Sequence, residues 1–225
     1  MIDVSTLELV AVLAYMIEWV YMKNRPGKII AVVGAPSVGK STFVRHLKDK
    51  YRVTAFLEGE EGDLPEFVKE NISQNKNRLQ TTLYFHNQNI DQYNQALTLK
   101  DQAHHVVLDT FWLTNLFFIN DIIYNNRAEQ DLVRDLIRLA NQSLHLPDYI
   151  IYLEASDELV KERVLGRGRG FEANVMDSFF KVNQAHINYF NNDAEQELAR
   201  SNIIRVSAAD FDYDKLAKKL NLLKI

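Results

Sequence analysis

An α/β fold, with a central parallel sheet of about five strands flanked by helices, is what this sequence predicts. Three observations predict it. Short β-branched apolar runs, the mark of strands buried on both faces, recur along the chain. Helix-periodic segments separate them, the alternation that builds a parallel sheet covered on both sides. And "GAPSVGKS", Gly34 to Ser41, stands between the first such run and the helix after it. No repeat, low-complexity tract or flexible linker interrupts the 225 residues, so one domain over 1–225 is expected.

Taken in order, "LELVAVLAYMIEWVYM" opens the chain as an amphipathic helix within 1–24. Glu8 and Glu18 bracket its most apolar part, which falls short of the ~20 residues of a membrane span. Asp3 and Glu8 argue against a secretory signal. The helix is expected to dock on the body of the protein or on a partner chain, with a membrane surface as the alternative, and the protein to be cytoplasmic. "NRPGK" breaks it, and "KIIAVVG" is the first strand. "KSTFVRHLKDKY" reads as a helix, "RVTAFLEGE" as a strand, and "LPEFVKENIS" and "RLQTTLYFHNQNIDQYNQALTLK" as helices. "AHHVVLDT" is a strand; "LTNLFFINDIIYNN" and "AEQDLVRDLIRLANQSL" are helical by period. "LPDYIIYLEAS" is a strand, "DELVKERVLGRG" and "DSFFKVNQAHINYFNN" helices, "NIIRVSAAD" the last strand and "YDKLAKKLNLL" the last helix.

Composition narrows the function. Hydrophobic residues make up 47%, enough for a full core, and the net charge is -4. Neither favours wholesale binding to nucleic acid or to an anionic membrane. The chain has no cysteine, which excludes disulfides and thiolate metal sites, and its histidines lack zinc-type spacing.

Gly34-Ala35-Pro36-Ser37-Val38-Gly39-Lys40-Ser41, followed by Thr42, fits GxxxxGK[ST] in full, in the strand-to-helix context that the motif requires. Glycines let backbone N–H groups turn inward around phosphate oxygens, and the helix N-terminus adds partial positive charge. Lys40 would reach the outer phosphates and Ser41 would ligate Mg²⁺. The expected ligand is a nucleoside triphosphate, ATP, with the acceptor beyond the carboxyl ends of the strands. The alternative is a chance glycine turn.

Three features near those strand ends bear on the acceptor. Glu58 follows the second strand and could take a proton from an attacking hydroxyl, or belong to a solvated acidic loop with Glu60, Glu61 and Asp63. Asp109 ends the third strand and could hold Mg²⁺, or cap the next helix. In "KERVLGRGRGFE", Arg163 and Arg167 share a helical face, and glycines interleave Arg167 and Arg169. That pattern suggests a mobile lid over 163–172 whose guanidinium groups neutralise phosphate charge, or else an exposed basic loop or RNA anchor. Trp112 is a candidate wall for a base, or a packing residue.

Together these pieces resemble the deoxynucleoside kinase family, from about Lys28 to the C-terminus. The phosphate loop, the strand ending in Glu58, the long helix, "PDYIIYLEAS" and "RVLGRGRGFE" follow the family's order. The resemblance implies a nucleoside-monophosphate-kinase-like fold, usually a homodimer packed through helices. It implies that Glu58 activates a sugar 5′-hydroxyl, that Asp109 lies near Mg²⁺, that Arg163, Arg167 and Arg169 clamp phosphates, and that Glu172 binds the 3′-hydroxyl. The substrate implied is a nucleoside phosphorylated with ATP.

The departures lie on the base-reading side. Asp109-Thr110-Phe111 stands where the family has Asp-Arg-Ser, and Asn115 where it has a base-reading aspartate. Thr82 and Asn89 fall near the family's Gln and Arg, with His86 between them as a further candidate; Gln80 or Gln88 would serve only with a local shift. Other acceptors therefore stay open: another small alcohol, a modified nucleoside, or a nucleotide-binding regulator with little turnover.

Overall fold

The computed structural model describes residues 27–59, 64–119, 126–167 and 176–223. The expected N-terminal helix and the lid from 168 onward, with Arg169 and Glu172, lie outside them. Five strands form one parallel sheet: β1 Ile29–Val33, β2 Val53–Phe56, β3 His105–Asp109, β4 Tyr149–Glu154 and β5 Asn202–Ser207, in the order β2-β3-β1-β4-β5. β1 lies at the centre because every residue of "IIAVV" is apolar and buried. Its register sets Val32 opposite Asp109 on one side and Ile151 on the other.

The helices cover both faces. Ile30 and Val32 point to a core built with α1 (Lys40–Lys50), α5 (Asp157–Arg167) and α8 (Tyr213–Lys219). Ile29, Ala31 and Val33 point the other way, to α3 (Arg78–Asp101), α4 (Arg127–Ser143) and α6 (Met176–Asn192). Each isoleucine or valine among them contributes roughly 1.5–3 kcal/mol of burial. The shorter α2 (Glu66–Ser73) packs on α3. At the amino edge of the sheet, Asp148 accepts from Ile29 N at 2.7 Å and from Lys100 Nζ at 2.8 Å, tying β1, α3 and β4 together.

Two elements depart from the sequence reading. The helix expected over 113–126 is instead a 3₁₀ segment, η1, Trp112–Phe118, and 120–125 lie outside the described residues. Thr114 turns its hydroxyl back onto Phe111 O at 2.9 Å, a local bond that competes with an α-helical start. A short α7, Ala194–Glu197, was not expected. Among the described residues no helix is long and apolar enough to cross a membrane.

Candidate active site

The loop after β1 is built around its backbone. Gly34 has φ +152°, and a side chain there would meet Leu153 O at 2.7 Å. Gly39 has φ +100° and forms the N-cap of α1 with no side-chain cap bond. The first turn of α1 carries no acidic residue of its own, so its positive end is turned to the loop. Lys40 Nζ donates to Gly34 O at 3.1 Å and to Ala35 O at 3.0 Å, folded across the loop it would serve.

Asp109 reaches the same place from β3, the strand beside β1. It is 1% exposed, and its Oδ2 accepts from Ser41 Oγ at 2.5 Å. Its Oδ1 is buried with no hydrogen-bond partner. Burial pushes this carboxyl up; Lys40, the Ser41 hydrogen bond, Arg45 and Arg167 oppose that. An orphaned buried carboxylate oxygen next to a serine hydroxyl is an all-oxygen donor set suited to a hard cation such as Mg²⁺.

A cavity of about 310 Å³ opens from the loop across the carboxyl edge of the sheet. On the α1 side its walls include Gly34, Pro36, Ser37, Gly39, Lys40, Ser41, Thr42, Arg45 and Arg167. On the α3 and η1 side they include Arg78, Thr81, Thr82, Phe85, Thr110, Thr114, Asn115 and Phe118. Glu58, two residues past β2, lines the space between. Gln92 Nε2 donates to Leu57 O at 3.3 Å, so α3 fixes the backbone that carries Glu58.

The expected residues do not all gather there. Ala35 and Val38 are fully buried beneath the loop. His86 (7% exposed) and Asn89 (3%) lie on α3 but not in the cavity wall; the helix carries them into the core, where burial lowers the His86 pKa. Arg163 is also absent from the wall. Its guanidinium donates to Val38 O, and to Ala208 O at 2.7 Å, bracing the loop from behind. Trp112 is fully buried, with its indole N–H on Asn141 Oδ1 at 2.7 Å, so it packs rather than walls. The wall residues that sequence reading missed include Thr81, Thr114, Arg45, Arg78, Phe85, Phe118 and Phe179. Arg45 and Phe85 carried a signal, at i+4 from Ser41 and nearly that from Thr82; the others depend on how the helices meet.

A phosphate loop whose cavity runs on between α3 and η1 has the layout of a phosphate-loop kinase. The deoxynucleoside kinase family model matches residues 30–221, and the chain belongs to that family. It is a nucleoside kinase. Similar solved structures include deoxyadenosine kinase from M. mycoides with dATP bound, at 21% identity and TM-score 0.69, covering 86% of this chain and 99% of that one. The same enzyme with products dCMP and a flexible dCDP gives 20% and 0.68, covering 86% and 98%. With dCTP it gives 18% and 0.65, covering 86% and 98%. These likenesses show the fold. No curated protein matches the chain.

Proposed function

We propose that the chain transfers the γ-phosphoryl group of ATP to the 5′-hydroxyl of a nucleoside, in a nucleotide salvage role. The observation that carries this is one cavity lined by both the phosphate loop and Glu58. The Glu58 carboxylate takes the hydroxyl proton as that oxygen bonds to the γ-phosphorus; the bond from phosphorus to the β,γ-bridging oxygen breaks, and ADP leaves. The loop N–H groups, Lys40 and Arg167 hold the phosphates in line, and charge neutralisation and positioning supply most of the rate. Ser41 and Asp109 would hold Mg²⁺, which when bound neutralises charge on the transferred group.

Thr82, Thr110 and Asn115 contact the nucleoside, with Phe85 and Phe118 as apolar walls. Arg163 acts on the loop rather than on the phosphates. Arg169 and Glu172 are assigned phosphate and 3′-hydroxyl roles on the register of the lid motif alone. A homodimer is part of the proposal; Leu132 (45% exposed) and Leu139 (53% exposed) give α4 an apolar stripe on which copies could pack. A cytoplasmic address is proposed with it.

Glu58→Gln tests the assignment. Turnover should fall roughly a hundredfold or more while ATP binding, measured by calorimetry, is retained. Unchanged turnover removes Glu58 from the mechanism.

A further inference from the structure

Among the described residues, four cations line the cavity: Lys40, Arg45, Arg78 and Arg167. Lys40 lies across the phosphate loop, on Gly34 O and Ala35 O. Arg78 opens α3 and turns Nε onto Asn75 Oδ1 at 2.7 Å. Arg167 closes α5. Arg45 enters from another direction. It stands one helical turn after Ser41 on α1, so the two side chains share a face. Side chains on a helix lean toward its N-terminus, which carries Arg45 back toward the level of Ser41. Ser41 is bonded to Asp109 at the end of β3. The helix α1 packs on β3 and β2, and Glu58 follows β2. Arg45 therefore reaches the cavity, half-buried, from the side of Asp109 and Glu58. Its charge is felt there. Burial raises the Asp109 pKa, and Arg45 opposes the rise, after Lys40 and Ser41 and ahead of Arg167. Thr110, next to Asp109 on the wall, is uncharged, and its hydroxyl meets Thr114 Oγ1 at 2.9 Å.

A phosphoryl group in transfer spreads its charge over three equatorial oxygens, between a donor end and an acceptor end. Lys40 and the loop N–H groups serve the donor end. At the acceptor end the same oxygens approach the Glu58 carboxylate, and like charges in a half-buried cavity need a cation beside them. We propose that Arg45 is the acceptor-side phosphate ligand: its guanidinium contacts the equatorial oxygens as the group passes to the nucleoside 5′-oxygen, and it holds the 5′-monophosphate that results. The proposal deepens the nucleoside-kinase reading and rests on it. The bond from phosphorus to the ADP oxygen breaks, the bond to the 5′-oxygen forms, and the hydroxyl proton goes to Glu58. Arg45 moves no proton, because a guanidinium stays charged; it supplies N–H donors in a fork that matches phosphate oxygens. A nucleoside offers that fork nothing, whereas its monophosphate does.

Arg45→Gln and Arg45→Lys test this by calorimetry with three ligands: the nucleoside that the intact protein turns over fastest, its 5′-monophosphate, and ATP. Arg45→Gln should weaken the monophosphate by at least about tenfold, with the nucleoside and ATP each within about threefold. Its kcat should fall by about a hundredfold. Arg45→Lys keeps the charge and loses the fork, so it should recover part of that kcat. Monophosphate affinity or kcat unmoved in Arg45→Gln overturns the proposal. A loss confined to ATP places Arg45 at the donor end and overturns it as well. So does an equal loss for all three ligands, which would mean that Arg45 supports the fold. Each of these leaves the kinase reading standing, because the intact protein still turns a nucleoside over. No turnover of any natural nucleoside by the intact protein overturns both readings.

Discussion

Thr110 holds φ at +82°, a left-handed conformation that a β-branched residue rarely adopts. It does so next to Asp109, where β3 ends and the cavity begins. Strain of this kind costs on the order of 1–3 kcal/mol and persists where surrounding structure imposes it. Thr110→Ala removes the hydrogen bond to Thr114 and keeps the strain. Thr110→Gly removes the same bond and relieves it. The glycine variant should therefore be the more stable of the two by about 1 kcal/mol in denaturant unfolding, the reverse of the usual order. The sequence made the motif residues legible, because Gly34, Lys40 and Ser41 follow from chemistry that needs fixed spacing. It could not separate Thr82 from His86 and Asn89. All three lie on α3, and only the packing decides where the cavity stops and the core starts.

Among the elements, α5 reaches the loop through Arg163. Its guanidinium joins Val38 O to Ala208 O and so links the phosphate loop, α5 and the end of β5. Arg163→Met keeps most of the stem and removes the donors. Hydrogen bonds from a charged group contribute about 1.5–3 kcal/mol, so KM for ATP should rise by tenfold or more, with KM for the nucleoside nearly unmoved. Equal changes in both would mean that Arg163 supports the fold in general rather than the loop. β1, β3 and β4 were readable because each is a short, mostly apolar run bounded by polar residues. The stretch "FWLTNLFF" was not, since nearly every position is apolar and no period distinguishes an α-helix from a 3₁₀ turn. Thr114, bonding to Phe111 O, decides it, and that bond is a local event with little sequence signature.

For the whole molecule, His186 sets a pH dependence. It is 1% exposed between Phe117 and Tyr152, with Nδ1 donating to Val182 O at 2.8 Å and Nε2 unpartnered. Burial lowers its pKa from 6.5 to about 3. Above pH 6.5 neither state takes the proton, and stability does not depend on this group. Below 6.5 the unfolded chain takes a proton that the fold refuses, and stability falls until about pH 3. Between pH 7 and pH 5 the loss attributable to His186 should be about 2 kcal/mol in urea unfolding, and His186→Leu should lack that share.

The strand order carries one more consequence, for the ribosome rather than the finished enzyme. β1, five fully buried residues, pairs with β3 and with β4. The second neighbour emerges more than a hundred residues after the first of these strands, on the order of ten seconds at common rates of synthesis. Through that interval "IIAVV" is an uncharged, β-prone segment with an open edge. Nascent chains stalled before Tyr149 emerges from the ribosome should therefore bind a holdase chaperone, and chains long enough to expose Glu154 outside the ribosome should release it.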